Sequence, residues 1–332
     1  MKNRLGLGAL VLSLAACGNT ASPDVAPAGS GSATAPASAG PVATATAAIP
    51  APSARVDTHG IPIGIPYPVE KVLAAVNPKG LAPYKGPTGT LKGTVHIEGD
   101  APPTVTGLKI PSNCGEASAT YGKIFRVGLE KALADVLVAV TGFEGIVPAE
   151  GEVEKITIHG CALARRTIAA TYGQRLEVSN LDLGKEYMPY LDGAQTESIL
   201  VAVGNGFPVK LYPGQPGHYL VRDMLPKPYL TADVFVLAYS THDVTGLDGQ
   251  YEIKNIPVGQ VKVNAFLPVL VRKAAEEKAM EIKPGENKLD FTIKFDLKKD
   301  MDGVSTTAPP PASTVSAGAA PPPPPAPAPP TK

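Results

Sequence analysis

Ser240-Thr241-His242-Asp243 places a hydroxyl, an imidazole and a carboxylate side by side, the groups of a nucleophilic triad. A triad is assembled in space, and neighbours on an extended chain point to opposite faces, so the run reads as a loop leading into a turn at Thr245. His159 and Cys161 stand two residues apart on one strand face, as a pair of metal ligands would. Two ligands do not make a site. The five histidines (His59, His96, His159, His218 and His242) show no metal-binding spacing. Asp300-Met301-Asp302-Gly303 starts like a calcium loop but lacks the later ligands and the closing Glu. Gly204-Asn205-Gly206 has neither the preceding strand nor the following helix of a phosphate loop and reads as a hairpin turn. No pair of carboxylates stands out. The expectation is a non-enzymatic chain with no catalytic residue, no metal and no cofactor.

Three cysteines remain to be explained. Lys2 and Arg4 precede the apolar stretch of residues 5–16, which is too short to span a bilayer and has the form of a secretion signal. It ends in Leu14-Ala15-Ala16-Cys17, which resembles the lipobox of bacterial lipoproteins. The resemblance implies cleavage before Cys17 and its acylation, and two or three acyl chains anchor durably. Gly18, in place of an Asp, leans towards the outer membrane. Cys114 and Cys161 then form an even pair in an exported chain, most simply a disulfide, with free thiols as the alternative.

The 332 residues hold 30 basic and 30 acidic side chains, so the basic footprint of a nucleic-acid binder is missing. Loss of residues 1–16 removes Lys2 and Arg4 and no acid, which leaves a net charge of −2. With no Trp and 5% aromatics, the case for an aromatic carbohydrate platform is weak. Residues 17–66 are mostly Ala, Pro, Ser, Gly and Thr, a composition expected to form a disordered tether. Residues 298–332 end in a proline-rich tail that includes Pro321–Pro325, also expected to be disordered.

Between the tails the hydrophobic pattern has period two. In residues 289–297, Leu289, Phe291, Ile293, Phe295 and Leu297 share one face, with charged or polar residues on the other. Residues 154–159, 175–180, 208–212, 250–254 and 261–266 alternate in the same way. Residues 133–140 and 232–239 are more continuously apolar and are expected to be central strands. Helices are expected at 68–77, where Pro68 precedes Val69, Val72, Leu73 and Val76, and at 270–280. About a dozen strands punctuated by Gly, Pro and Asp describe sandwiches or barrels.

Residues 245–259 carry Thr245, Asp248, Gly249, Tyr251, Ile253, Ile256, Pro257 and Gly259. This stretch resembles the carboxypeptidase regulatory-like domain, a small transthyretin-like sandwich, with Asp248-Gly249 expected to turn a hairpin. Residues 89–240 resemble exported bacterial proteins with a cupredoxin-like domain through Gly89, Gly93, Val95, Gly99, Pro102, Cys114, Val136, Val138, Cys161, Gly173, Leu176, Val178, Asn180 and Asp182. Where the resemblance implies copper ligands, this chain has Glu186, Met224, Lys227 and Leu230, and no Cys follows Cys161. A blue-copper centre needs its thiolate and imidazoles together, so copper electron transfer is not expected.

The expected fold is mostly β: two linked antiparallel β-sandwiches, cupredoxin-like (89–230) and transthyretin-like (231–297), after a helix and lead-in at 67–88. The strand after Gly89 fits either sandwich. By the resemblance, the loops with Glu186, Tyr187, Tyr190 and Tyr229 crowd the metal end of the first sandwich. They are candidates for contact with an envelope glycan or protein, against the alternative that the tyrosines pack the loops down. The function expected is a lipid-anchored binding or structural module of the cell envelope. The runner-up is a divergent metal or redox cupredoxin that uses Cys114, Cys161 or His159.

Overall fold

The computed structural model describes Thr58, Thr306 and residues 60–194, 200–225, 227–270 and 277–301. Cys17, the signal segment, most of the tether and most of the 298–332 tail lie outside the described residues, but the expected disorder does not start at 298, because residues 298–300 belong to a short helix capped by Asp296. In chain order the elements are α1 (Val69–Val76), β1 (Thr88–Gly99), α2 (Gly115–Tyr121), β2 (Leu137–Thr141), β3 (Val153–His159), β4 (Ala162–Leu163), β5 (Thr167–Thr171) and β6 (Arg175–Asn180). There follow β7 (Glu186–Tyr187), β8 (Pro189–Asp192), β9 (Ala202–Val203), β10 (Val209–Leu211), β11 (Gly217–Asp223) and β12 (Thr231–Leu237). The chain closes with β13 (His242–Val244), β14 (Gln250–Pro257), β15 (Gly259–Phe266), β16 (Lys278–Ile282), β17 (Gly285–Lys288), β18 (Phe291–Phe295) and α3 (Leu297–Asp300).

The fold is mostly β, with two sandwiches and two main cores. Sheets β10-β6-β3-β4 and β5-β12-β11-β8 enclose the first core, which includes Ile156, Ile158, Leu176, Val178, Val221 and Val234. Sheets β14-β1-β17/β18 and β13-β2-β15-β16 enclose the second, with Leu91, Val95, Val138, Ile253, Val263 and Phe291. Period-two patterning places these side chains: β18 buries Phe291, Ile293 and Phe295 and exposes Thr292 and Lys294. Pairing is mostly antiparallel, with parallel pairs at β3–β6, β5–β12, β1–β17 and β1–β18.

The sandwiches are interleaved in sequence. β1 pairs with β14, β17 and β18, so the strand after Gly89 belongs to the second sandwich. β2 pairs with β13 and β15 and belongs there too. β12 pairs with β5 and β11 of the first. The boundary expected at residue 230 therefore does not separate the two. The strands of the first sandwich, β3 to β12, are inserted between β2 and β13, which are themselves adjacent and antiparallel, while α1 and α2, earlier in the chain, pack on its core. Contact across the junction is a small apolar cluster of Leu137, Ala169 and Val244. Beside it a buried clamp joins the sandwiches: Asp135 accepts from Arg126 Nε (2.7 Å), Arg126 Nη2 (2.6 Å) and the Arg166 amide (2.8 Å). Arg166 Nη1 in turn donates to the carbonyls of Lys123 and Ile124.

Three local expectations are revised. The tether does not run to residue 66, because Ile61 and Ile65 are buried and the Gly64 amide donates to the Gly173 carbonyl. Of the helix expected over 270–280, residues 271–276 lie outside the described residues, and its end is strand instead, Lys278–Ile282 pairing with β15 as β16. Asp248-Gly249 makes a tight turn, with Gly249 at φ 69° and its amide on the Gly246 carbonyl, but it carries the chain from one sheet to the other. Thr245, fully buried, fixes that crossing by donating to the Leu133 carbonyl and accepting from the Val136 amide.

Candidate functional site

Residues 142–152 carry the chain from β2 to β3 and residues 238–241 return it from β12 to β13, and a polar cleft of about 300 Å³ lies along these two crossings. The first sandwich supplies Glu154 from β3, Thr171 from β5 and Gln174 from the turn after it. The second supplies His242 and Asp243 from β13 and Glu252, Lys254 and Asn255 from β14. Glu150 and Ser240 come from the crossings.

Much of the wall is held by hydrogen bonds. Ser240 Oγ donates to the Val147 carbonyl (2.6 Å), and Thr171 Oγ1 lies 3.2 Å from His242 Nε2. Gln174 accepts from the Thr171 amide and donates to the Gly151 carbonyl. Asp243 accepts from the amides of Val244 and Glu252, and Asn255 Nδ2 donates to Glu150. Glu154 is different. Burial pushes its carboxyl up to about 7, Asp243 adds to the rise and Arg165 opposes it. Near neutrality this carboxyl can either donate or accept. Burial also raises Asp243, against the amides of Glu252 and Val244, and lowers His242 to about 4, so that its imidazole is neutral.

Ser240, His242 and Asp243 are thus brought to one cleft, but not as a nucleophile and its base. The serine hydroxyl is engaged by Val147, and the histidine nitrogen within bonding distance faces Thr171. The expected loop is in fact the entry to strand β13. What the cleft offers is a set of carboxylates, amides and hydroxyls that suits a ligand rich in hydroxyl and amine groups. Glu154 was legible in part. It lies in phase with buried Ile156 and Ile158, so the alternation itself puts a carboxylate on the inward face of β3.

The candidates at the far end of the first sandwich have other roles. Tyr187 is fully buried, and its hydroxyl donates to Asp182 at 2.7 Å. Burial and this bond raise its phenol. Burial alone would raise Asp182, but the Tyr187 hydroxyl and the amides of Cys161 and Gly160 outweigh it and hold the carboxyl low. Tyr229 is 4% exposed and its ring lies 5.8 Å from that of Tyr121. Both tyrosines pack the loops down, and neither is presented to a partner. Tyr190 is half-buried on β8 and Glu186 is exposed on β7. Asn180 and Asp182, in phase with the buried face of β6, order these loops: Asn180 donates to the carbonyls of Lys185 and Ala202. Lys227 Nζ sits 4.7 Å from the centre of the Tyr187 ring and pairs with Asp223 at 3.2 Å.

Cys114 and Cys161 are joined, with an S–S distance of 2.02 Å. Their sulfurs are therefore not thiolates, and His159 is exposed at the end of β3, so the ligand set considered for a divergent metal site does not exist in this form. Among the described residues no three His, Cys, Asp or Glu side chains are grouped to hold a metal ion.

No protein-family model matches the chain, and no curated protein matches it. A copper-containing nitrite reductase from Thermus scotoductus is similar over 29% of this chain and 25% of its own length, at 16% identity and a TM-score of 0.22. Auracyanin A, a blue copper protein from Chloroflexus aurantiacus, is similar over 25% of this chain and 97% of its own, also at 16% identity and a TM-score of 0.22. This chain thus spans about a quarter of the nitrite reductase, and in each case the likeness is confined to less than a third of this chain.

Proposed function

We propose that this chain is a non-enzymatic binding protein of the cell envelope, anchored by lipid at Cys17, that holds an amino-sugar glycan in the cleft between its two sandwiches. The observation that carries this reading is the cleft wall. Glu150, Glu154, Asp243 and Glu252 provide acceptors for amines and hydroxyls, and Gln174, Asn255, Thr171 and Ser240 add neutral hydrogen-bonding groups. The engagement of Ser240 by a backbone carbonyl supports binding over nucleophilic chemistry. Anchorage rests on Leu14-Ala15-Ala16-Cys17, and Gly18 favours the outer membrane. The cupredoxin-like and transthyretin-like resemblances fit this role, since a sandwich can serve as a scaffold for a site at its edge.

The test is co-sedimentation of the mature chain, carrying Cys17→Ser for solubility, with isolated peptidoglycan sacculi. Saturable pelleting is expected, displaced by glucosamine oligomers and weakened at least tenfold by Glu154→Gln combined with Asn255→Ala. Absence of pelleting at micromolar protein overturns the glycan reading. Equal pelleting by the double variant overturns the assignment to the cleft.

A further inference from the structure

Eleven large apolar side chains are exposed among the described residues, and six of them lie in two short segments. Leu181 and Leu183 follow β6, while Leu200, Val201, Val203 and Phe207 surround β9. The two segments are neighbours. Glu186 pairs with Val203, the Asn205 amide donates to the Asn180 carbonyl at 2.7 Å, and a Cβ on Gly204 would stand 3.0 Å from Leu183 Cα. Phe207 is 96% exposed and Leu183 75%. Of the remaining five, Leu129 and Leu247 come near each other, since Gly128 lies against the Leu247 backbone, and make a smaller exposed pair.

From this clustering, together with the anchored-envelope reading above, we propose that the Leu181–Leu183 and Leu200–Phe207 tip of the first sandwich inserts into the surface of a lipid bilayer. Phe207 and Leu183 are the most exposed of the six side chains. A fluid apolar phase accepts such projections, whereas a protein partner would have to match them in shape. Two short segments also fall well below the roughly 20–30 residues a side of a standard protein interface. The network beneath, Asn180 and Asp182 with the Cys114–Cys161 bond behind them, holds the tip in place, so that little ordering opposes insertion.

The chain outside the structure points to the same occupant. It leads from the buried Ile61 back to Cys17, the expected lipid-bearing residue. A segment of that length and composition has a root-mean-square reach of roughly 36 Å. The body starts beside Gly173, at the opposite end of six-residue β6 from Leu181, about 20 Å away by strand geometry. The reach exceeds that distance, so an anchored chain can turn its apolar tip to the membrane, and tethering makes the encounter effectively intramolecular.

The test uses the mature chain with Cys17→Ser, so that any binding is independent of acylation, in flotation with vesicles of phosphatidylethanolamine and phosphatidylglycerol. The unacylated chain is expected to float with vesicles, and Phe207→Asp combined with Leu183→Asp to cut the bound fraction at least tenfold at an unchanged melting temperature. Failure of the unacylated chain to float, or equal flotation of the double variant, overturns the proposal. So does concentration-dependent dimerisation that the double variant abolishes, with no vesicle binding, which would assign the tip to a second copy. Mass spectrometry of Cys17 from native membranes and the sacculus assay report separately on anchorage and on the cleft.

Discussion

At the residue scale the cleft is defined by two ionisable groups that burial drives in opposite directions. The folded value of Glu154 is raised from 4.5 to about 7. Its contribution to stability is therefore full below about pH 4.5 and is lost as pH rises through 7. The folded value of His242 is lowered from 6.5 to about 4. Its contribution is full above 6.5 and is lost as pH falls through 4. The two slopes oppose each other between these limits, so the parent protein hides both. Glu154→Gln removes the first. Relative to the parent, the variant should gain stability between pH 4.5 and 7 by at most about 3 kcal/mol, read from urea unfolding at each pH. Parallel pH profiles for parent and variant would show that the carboxyl is not held in the protonated form. Tyr187→Phe tests the other end of the sandwich. It removes a buried bond to Asp182 and should cost about 1–3 kcal/mol in the same unfolding assay. Sacculus binding should be untouched, because Tyr187 faces the core.

At the element scale, strand crossings and one covalent link do the positioning. Thr245 ties the turn after β13 to both sides of residues 133–136, and Asp243 ties β13 to the Glu252 amide of β14. The Asp243 bond connects the two sheets of the second sandwich at the cleft, and the Thr245 bonds fix the turn that leads from one sheet to the other. The Cys114–Cys161 bond joins the start of α2 to the β3–β4 turn across a sequence separation of 47. In the chain-entropy account a loop of that size stabilises by about 4 kcal/mol. Cys114→Ser with Cys161→Ser should lower unfolding free energy by about that much in the absence of reductant, and reduction of the parent should match it. A loss below about 1 kcal/mol would mean that Asp182, Tyr187 and Lys185 already hold these loops without the bond.

At the scale of the whole molecule, the insertion of one sandwich into the other makes the cleft possible. Thr141 and His242 end strands that pair with each other, and the Val140 amide donates to the Thr241 carbonyl at 2.9 Å. The entry and exit of the insert are thus adjacent. Replacing residues 142–240 by Asn-Gly, with Cys114→Ser, should leave a β-rich protein that unfolds cooperatively with a smaller denaturant dependence. Calorimetry and circular dichroism would decide this, and a non-cooperative melt would mean that the second core depends on the Asp135 clamp and the Leu137–Ala169–Val244 contact. The same excision deletes Glu154, Thr171, Gln174 and Ser240, so it should abolish sacculus binding.

The alternation of residues 291–295, 261–266, 175–180 and 154–159 determined that these segments are strands and which face each buries, because side-chain direction along a strand depends only on local geometry, whereas Leu297, in phase with the first of them, opens α3 and is exposed. Pro68 with its apolar spacing likewise announced α1. The tight turn at Gly249 was legible for the same reason, since positive φ is a local property that Gly supplies. Which strand pairs with which was decided only in three dimensions. β1 meets partners some 160–200 residues away, and nothing local distinguishes a first strand of one sandwich from that of the other. Burial of Tyr187 and Tyr229 was decided there too, because a tyrosine in a loop is amphipathic and its side depends on what the loop lies against. The cleft is the plainest case. Ser240, His242 and Asp243 were visible as residue types, but Glu154, Gln174 and Glu252 join them only because two distant crossings of the chain run side by side, and the rise of the Glu154 carboxyl comes from the desolvation that this juxtaposition creates.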